Sequence, residues 1–365
     1  MEKLQNLLNK LKKDGINNIR LANEPDSFGF LSTPFDTINN LIGGIPLGRY
    51  TTIAGPEHTG KGAFCLQLIA HLQAQDPNFT VLWTDAESSF VPEWAEKLGV
   101  DLNRVVLQRY TRSTDVMEKL LDEALGLIKS SNLINLWIVD SIGALIPKGD
   151  VYDNKDKEKS LEGTNMLHLQ RKLGEFYRKA NVLIAPDKTT DYKGCAVIMI
   201  GQVYTVPDAY VPLEAVKGGN AVKHWAHLRL MFRRGPKSEW PERVEVLGAD
   251  GNKYDVYPGW AGRIKVDKTR INENEGKEVS LLFMHNKGFD SFFATINAGF
   301  GLGIFERNGP TYSSSLFPDQ KWKGKEAVIS FFKDNNNYTV LSEAVSKMAI
   351  KQIAINSNDK EVNDI

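Results

Sequence analysis

The sequence predicts an α/β protein. A mostly parallel central sheet carries helices on both faces, a separate helix precedes it, and a small α+β domain follows. Three observations predict this. Short buried strands alternate with helices from Tyr50 to Ile200. The glycine-rich stretch GPEHTGKG, residues 55–62, joins the first of these strands to the first of these helices. From about Val222 strand-like segments follow one another with no helices between them.

The elements follow in order. In MEKLQNLLNKLKKDG, Leu4, Leu7, Leu8 and Leu11 fall at helical spacing with lysines opposite, and Gly15 is a stop. Such a helix docks either on its own domain or on another chain. A polar link runs from Ile16 to Phe28. Tyr50–Ala54 is a buried strand, and Ala63–Gln75 a helix with Phe64, Leu68, Ile69 and Leu72 on one side. Thr80–Thr84, Val105–Gln108, Leu133–Val139 and Ala196–Ile200 are further strands. Helices at Pro92–Leu98, Thr114–Ser130 and Asn165–Ala180 separate them, so the sheet is parallel or mixed. Leu228–Arg233, Arg243–Val246, Gly262–Asp267 and Val279–Met284 are expected to extend the sheet in an antiparallel sense. Lys148–Lys159 is charged and reads as a mobile loop. The expected units are an N-terminal helix and linker (1–28), a core (29–288), a small C-terminal domain (289–352) and a flexible tail (353–365).

Composition narrows the function. The 365 residues are 42% hydrophobic and 25% charged, with a formal net charge of zero. A protein that coats nucleic acid by charge alone would be basic, so nucleic-acid binding would need local patches or grooves. Cys65 and Cys195 are the two cysteines, with no CxxC pair or His/Cys cluster, which argues against zinc and for a reducing, cytosol-like compartment. No run approaches the roughly 20 apolar residues that a membrane span needs.

Gly55, Pro56, Glu57, His58, Thr59, Gly60, Lys61 and Gly62 fit the phosphate-loop pattern G-x-x-x-x-G-K-[ST] at every position but the last. A strand before and a helix after aim backbone N–H groups and a helix N-terminus at phosphate oxygens. Lys61 neutralises the outer phosphates. At Gly62 the hydroxyl that ligates magnesium in the usual site is missing. Water fills that position more readily than Thr59 does, because magnesium keeps several waters. Phosphate binding should therefore survive better than hydrolysis. WIVDS ends a hydrophobic strand on Asp140, where such folds place the acid of the magnesium shell, often acting through water. TDAESSF puts Asp85 and Glu87 at another strand end: either a turn with surface acids, or a place for Glu87 as the general base on the attacking water.

Together these stretches resemble the RecA family of recombinases, including its bacteriophage members, from about Leu31 to Lys351. The resemblance implies a RecA-like P-loop ATPase core. DAESSFVPEWAEKLGV is similar to the family's stretch with the catalytic glutamate, which falls on Glu87, and with the adenine-stacking aromatic, here Trp94. WIVDSIGALIPK resembles the second ATP motif, with Asp140 as its acid. IGQVY resembles the strand end whose glutamine senses the γ-phosphate, here Gln202. VKGGNAVKHWAHLRLMFRR resembles the close of the second DNA-binding loop, with Gly218, Gly219 and Asn220 as its GGN. Lys223 falls on an interface lysine. Lys268 and Arg270, in RIKVDKTRI, fall on cations given to the neighbouring subunit's ATP. Arg171 falls on a DNA-contacting arginine. In the second loop, Val203, Tyr204, Val206 and Tyr210 are candidates to wedge between bases and hold single-stranded DNA extended.

The resemblance thus implies ATP and Mg2+ as cofactors, and single- and double-stranded DNA as partners. It also implies a homo-oligomeric helical filament built through the N-terminal helix, with single-strand-binding and mediator proteins as further partners. The expected function is ATP-dependent homology search and strand exchange, in the cytoplasm, or the host cytoplasm for a phage chain; the divergent spacing leans toward phage. Two rivals stand beside it: an ATP-switched filament protein with little hydrolysis, motivated by Gly62, and a hexameric helicase on the same core.

Overall fold

The computed structural model describes residues 2–15, 21, 29–111, 116–153, 157, 166–186, 192–205, 214–241, 243–247 and 252–358. The chain opens with α1 (Glu2–Lys13), in which Leu8 is buried while Leu4 and Leu7 stay half exposed. β1 (Phe30–Leu31) pairs with β2 (Ile45–Pro46) around α2 (Asp36–Ile42). Then come β3 (Tyr50–Gly55), α3 (Lys61–Gln75), β4 (Thr80–Asp85), α4 (Pro92–Lys97), β5 (Val105–Arg109), α5 (Met117–Ser131) and β6 (Ile134–Asp140). One helical turn, α6 (Lys148–Val151), starts the charged segment that reads in sequence as a loop, and α7 (Met166–Leu183) follows. β7 (Ala196–Thr205) and β8 (Glu214–Val216) form a hairpin stem, and α8 (Gly219–Trp225) leads to β9 (Leu228–Arg234).

Beyond β9 lie β10 (Val244–Leu247), β11 (Lys253–Val256), β12 (Gly259–Thr269), β13 (Glu278–Met284) and β14 (Gly288–Phe289). The last unit holds α9 (Ser291–Gly301), β15 (Glu306–Asn308), β16 (Thr311–Ser313), β17 (Lys321–Lys323), α10 (Lys325–Phe332) and α11 (Asn335–Asn358).

The main sheet runs β14-β13-β12-β9-β3-β7-β6-β4-β5, with β8 joined to β7. From β9 to β5 all pairs are parallel, and β12, β13 and β14 add antiparallel strands. Two corrections to the sequence reading follow. β9 runs parallel to β3, because α8 serves as the crossover that returns the chain to the start of the sheet. The Arg243–Val246 segment does not extend the sheet: it forms its own two-stranded hairpin with β11.

Side-chain alternation explains why both faces are covered. On β6 and β7, Ile138 and Ile198 point to the cluster under α3, while Trp137, Val139, Val197 and Met199 point to the cluster under α5 and α7. A third cluster, with Phe305, Trp322 and Phe332 at its centre, belongs to the C-terminal unit. That unit is tied to the core by Thr295, whose Oγ1 donates to Asp36 Oδ2 at 2.6 Å. α11 reaches Asn358, past the expected end near residue 352; no Gly or Pro after Gln352 interrupts it. Residues 359–365 lie outside the described residues.

Candidate nucleotide site

The phosphate loop is shaped by two positions that only glycine can fill. A Cβ on Gly55 would stand 2.2 Å from the Phe232 carbonyl oxygen of neighbouring β9. Gly60 has φ 83°, and a Cβ there would press on the Phe289 ring at 2.7 Å. Within the loop Thr59 Oγ1 donates to Pro56 O at 2.8 Å. Lys61 folds back over the loop, and its Nζ donates to Gly55 O at 3.0 Å and Pro56 O at 2.6 Å. Burial lowers the Lys61 pKa, opposed by the carboxylates of Asp140, Glu87 and Glu57. Pro56, Glu57 and His58 are exposed along the loop crest. At Gly62, nothing lies within 4 Å of where a Cβ would stand, so there is room for a side chain or a water molecule.

Four adjacent parallel strands end at one rim. Gly55 of β3 registers with Gln202 of β7, Ile200 of β7 with Asp140 of β6, and Asp140 with Asp85 of β4. Open α/β sheets bind ligands outside these carboxyl ends. Burial, then Glu87 and Asp85, pushes the Asp140 carboxyl up to about 7, while Lys61 pulls it down. A carboxylate held in this way gains most from an arriving cation. Among the described residues no three His, Cys, Asp or Glu side chains gather into a metal cage.

The two acids of TDAESSF separate by role. Asp85 is fully buried; Oδ1 accepts from Ser89 N at 2.9 Å, and Oδ2 from Phe90 N at 3.1 Å and Arg109 Nε at 2.8 Å. It shapes the turn. Glu87 is exposed on that turn, and its Oε1 accepts from Ser141 Oγ and, at 3.4 Å, from Gln202 Nε2. Ser141 is a site residue that the sequence reading missed, although it directly follows Asp140 in WIVDS. Asp85→Ala is expected to cost about 2–3 kcal/mol, as loss of charged hydrogen bonds does, seen as a lower urea midpoint. Trp94 is half-buried on the α3 side of the sheet, with Lys97 Nζ 5.7 Å from its ring centroid.

The same glutamine begins the stem of the second loop. Val203 pairs with Val216 and Tyr204 with Ala215, directly after Gln202. Gln202 O accepts from Lys217 N at 3.1 Å. Gly218 and Gly219 follow at φ 95° and 62°, and a Cβ on either would strike Val222 or Gln170. Asn220 is exposed at the start of α8. On β8, Glu214 pairs with Arg233 of β9. Val206 and Tyr210 lie outside the described residues. Arg171 is exposed on α7 and lines a cavity of about 250 Å³ with Lys148, His168 and Lys172.

Lys223, Lys268 and Arg270 meet at the opposite end of the sheet. Lys268 Nζ donates to Lys223 O at 2.6 Å and His224 O at 3.0 Å, and Arg270 Nη2 donates to His224 O at 3.0 Å. Burial, then Arg270 and Arg229, brings the Lys268 pKa down to about 8. The register places Thr269 beside Leu228 and Leu228 beside Thr51, at the start of β3. The phosphate loop leaves the other end of β3, about 13 Å away at 3.3 Å per residue. The structure brings Lys61, Asp140, Glu87 and Gln202 together and keeps these three cations apart from them.

Comparison with known proteins agrees with this architecture. A family model described as the RecA N-terminal domain matches residues 26–288. The chain belongs to the RecA family. Protein RecA of Rickettsia bellii (strain RML369-C) is 29% identical over 326 residues, covering 88% of this chain and 85% of that protein. Protein RecA of Phytoplasma mali (strain AT) is 29% identical over 310 residues, with 84% and 81% covered. Protein RecA of Legionella pneumophila (strain Corby) is 30% identical over 295 residues, with 80% and 75% covered. ATP-dependent DNA recombination and strand exchange are the work of this family and of this chain, and RecA-family proteins are DNA-dependent ATPases. No helix among the described residues is long and apolar enough to cross a membrane.

Proposed function

We propose that this RecA-family chain is a working but slow ATPase that polymerises head to tail on single-stranded DNA in the cytoplasm and exchanges strands there. The observation that carries the reading is the convergence of Glu87, Ser141 and Gln202 at the rim where the phosphate loop leaves the sheet. ATP is the substrate. The loop and Lys61 hold its phosphates, and Trp94 stacks on the base. Mg2+, when bound, neutralises charge on the phosphates. Asp140 would help to hold it, and the open space at Gly62 would leave room for a water in place of the absent hydroxyl. Glu87 takes the proton of the attacking water.

Gln202 couples the two activities. It reads the γ-phosphate with its side chain and carries the second loop on its backbone. Val203, Tyr204, Val206 and Tyr210 wedge the bases there, Gly218, Gly219 and Asn220 hold a phosphate with backbone N–H groups, and Arg171 adds a backbone contact from α7. Single-strand-binding and mediator proteins as partners, and a bacteriophage origin, remain part of this proposal.

The test is turnover with magnesium, with and without single-stranded DNA, for the native chain and Gly62→Thr. The native chain is expected to hydrolyse ATP faster with DNA. Threonine should raise kcat roughly tenfold with KM nearly unchanged, the pattern of an interaction made in the transition state. A silent native chain rescued by threonine would make this an ATP switch instead. Silence from both would remove Glu87 from the role of base.

A further inference from the structure

The β10–β11 hairpin stands apart from the main sheet, and its side chains are sorted by face. Val244 lies opposite Val256 and Val246 opposite Tyr254, so these four share one face. All four are exposed, at 44%, 41%, 45% and 48%. Glu245 and Asp255 share the other face, where Lys253 Nζ donates to Glu245 Oε1 at 2.6 Å. A two-stranded hairpin is at best marginal alone in water, and a contiguous exposed apolar face marks a contact surface.

The root of this hairpin is fixed to the phosphate loop. Arg234, the last residue of β9, donates from Nε to the carbonyl of His58 at 2.9 Å, and its guanidinium lies 4.8 Å over the Trp260 ring. Gly235 N donates to Ala261 O at 2.7 Å, and Trp240 Nε1 donates to Gly235 O at 3.0 Å. Trp240 meets Tyr257 edge-on at 5.1 Å, and Arg243 covers Tyr257 at 4.8 Å. The chain is thus anchored on both sides of an exposed arm.

We propose that this hairpin is an assembly arm whose apolar face docks on the next copy of this chain. The inference rests on the head-to-tail reading above. The arm leaves the sheet at the phosphate-loop end, the end that the far-end cations of a second copy must approach. That far end also offers apolar side chains: Leu133 just before β6 is 66% exposed, and Val182 at the end of α7 is 76% exposed. Joining opposite ends of identical chains makes a heterologous interface, which propagates. DNA is the poorer occupant, because Val244, Val246, Val256 and Tyr254 are themselves uncharged and the other face pairs Lys253 with Glu245. Through Arg234, docking of the arm bears on the carbonyl of His58 and so on the loop that holds the phosphates.

The experiment uses the full chain and a Val244→Thr, Val246→Thr, Val256→Thr variant, which keeps β-branched residues in the strands. Sedimentation velocity with ATP and single-stranded DNA is expected to show the assembly midpoint rising at least ~10-fold in the variant. A photoreactive benzophenone residue at Tyr254 in the otherwise native chain is expected to give adducts of twice the chain mass on illumination. Native assembly that the triple variant shares, with no such adduct, would sink the arm alone. A native chain that stays monomeric would sink the head-to-tail reading and the arm with it. Adducts to DNA in place of chain dimers would assign the arm to nucleic acid and overturn the proposal.

Discussion

Glu87→Gln is expected to slow ATP turnover by at least ~100-fold, the range in which a positioned general base contributes. ATP and single-stranded DNA should still bind within about twofold of native, because glutamine keeps the shape and loses only the base. The geometry makes the expectation specific. Oε1 of Glu87 accepts from both Ser141 and Gln202, so the carboxylate is oriented from two neighbouring strands. If hydrolysis releases DNA, the variant should also leave DNA more slowly than the native chain. Single-turnover kinetics and DNA dissociation on the same preparations check both parts. Native-like turnover in Glu87→Gln would place the base elsewhere on the rim; Asp85 is a poor substitute, because its oxygens are already engaged by Ser89, Phe90 and Arg109.

The parts of the site legible in the sequence are those whose constraint is local. GPEHTGKG reveals itself because Gly55 and Gly60 answer to contacts that no side chain survives. The strand segment LWIV, residues 136–139, reveals itself because both its faces are buried, which leaves a continuous apolar run. What failed to show is what depends on the route of the chain. The buried positions of LRLMFRR alternate, the pattern of a strand with one covered face, and that fits either direction. The parallel pairing of β9 with β3 comes from α8, seven residues long and too short to announce a crossover. Ser141 carries no signal of its own in the sequence, since its partner Glu87 lies fifty-four residues earlier. Nor does RIKVDKTRI say at which end of the sheet its cations stand. That follows only from a register running across β12, β9 and β3.

This register carries the prediction with the largest effect. Arg270 and Lys268 stand a full strand length from the phosphate loop of their own chain, so any help they give to ATP hydrolysis goes to another copy. Arg270→Ala is expected to cut turnover on the order of 10³-fold, the low end of what a supplied cation contributes to phosphoryl transfer. Lys61→Ala should be equally silent, because it removes the cation that the loop holds in place. The two failures have different addresses, and mixing the variants exposes this. In a co-assembled equal mixture, about one junction in four joins an intact phosphate loop to an intact pair of far-end cations. Turnover should therefore return to roughly a quarter of native in the mixture, while a chain carrying both substitutions stays silent alone. Recovery cannot arise if the cations serve their own chain, since each chain then lacks one of its two parts. Silence of a mixture that demonstrably co-assembles would return Lys268 and Arg270 to the status of surface charge, and with them the reason for a second copy at the phosphate-loop end.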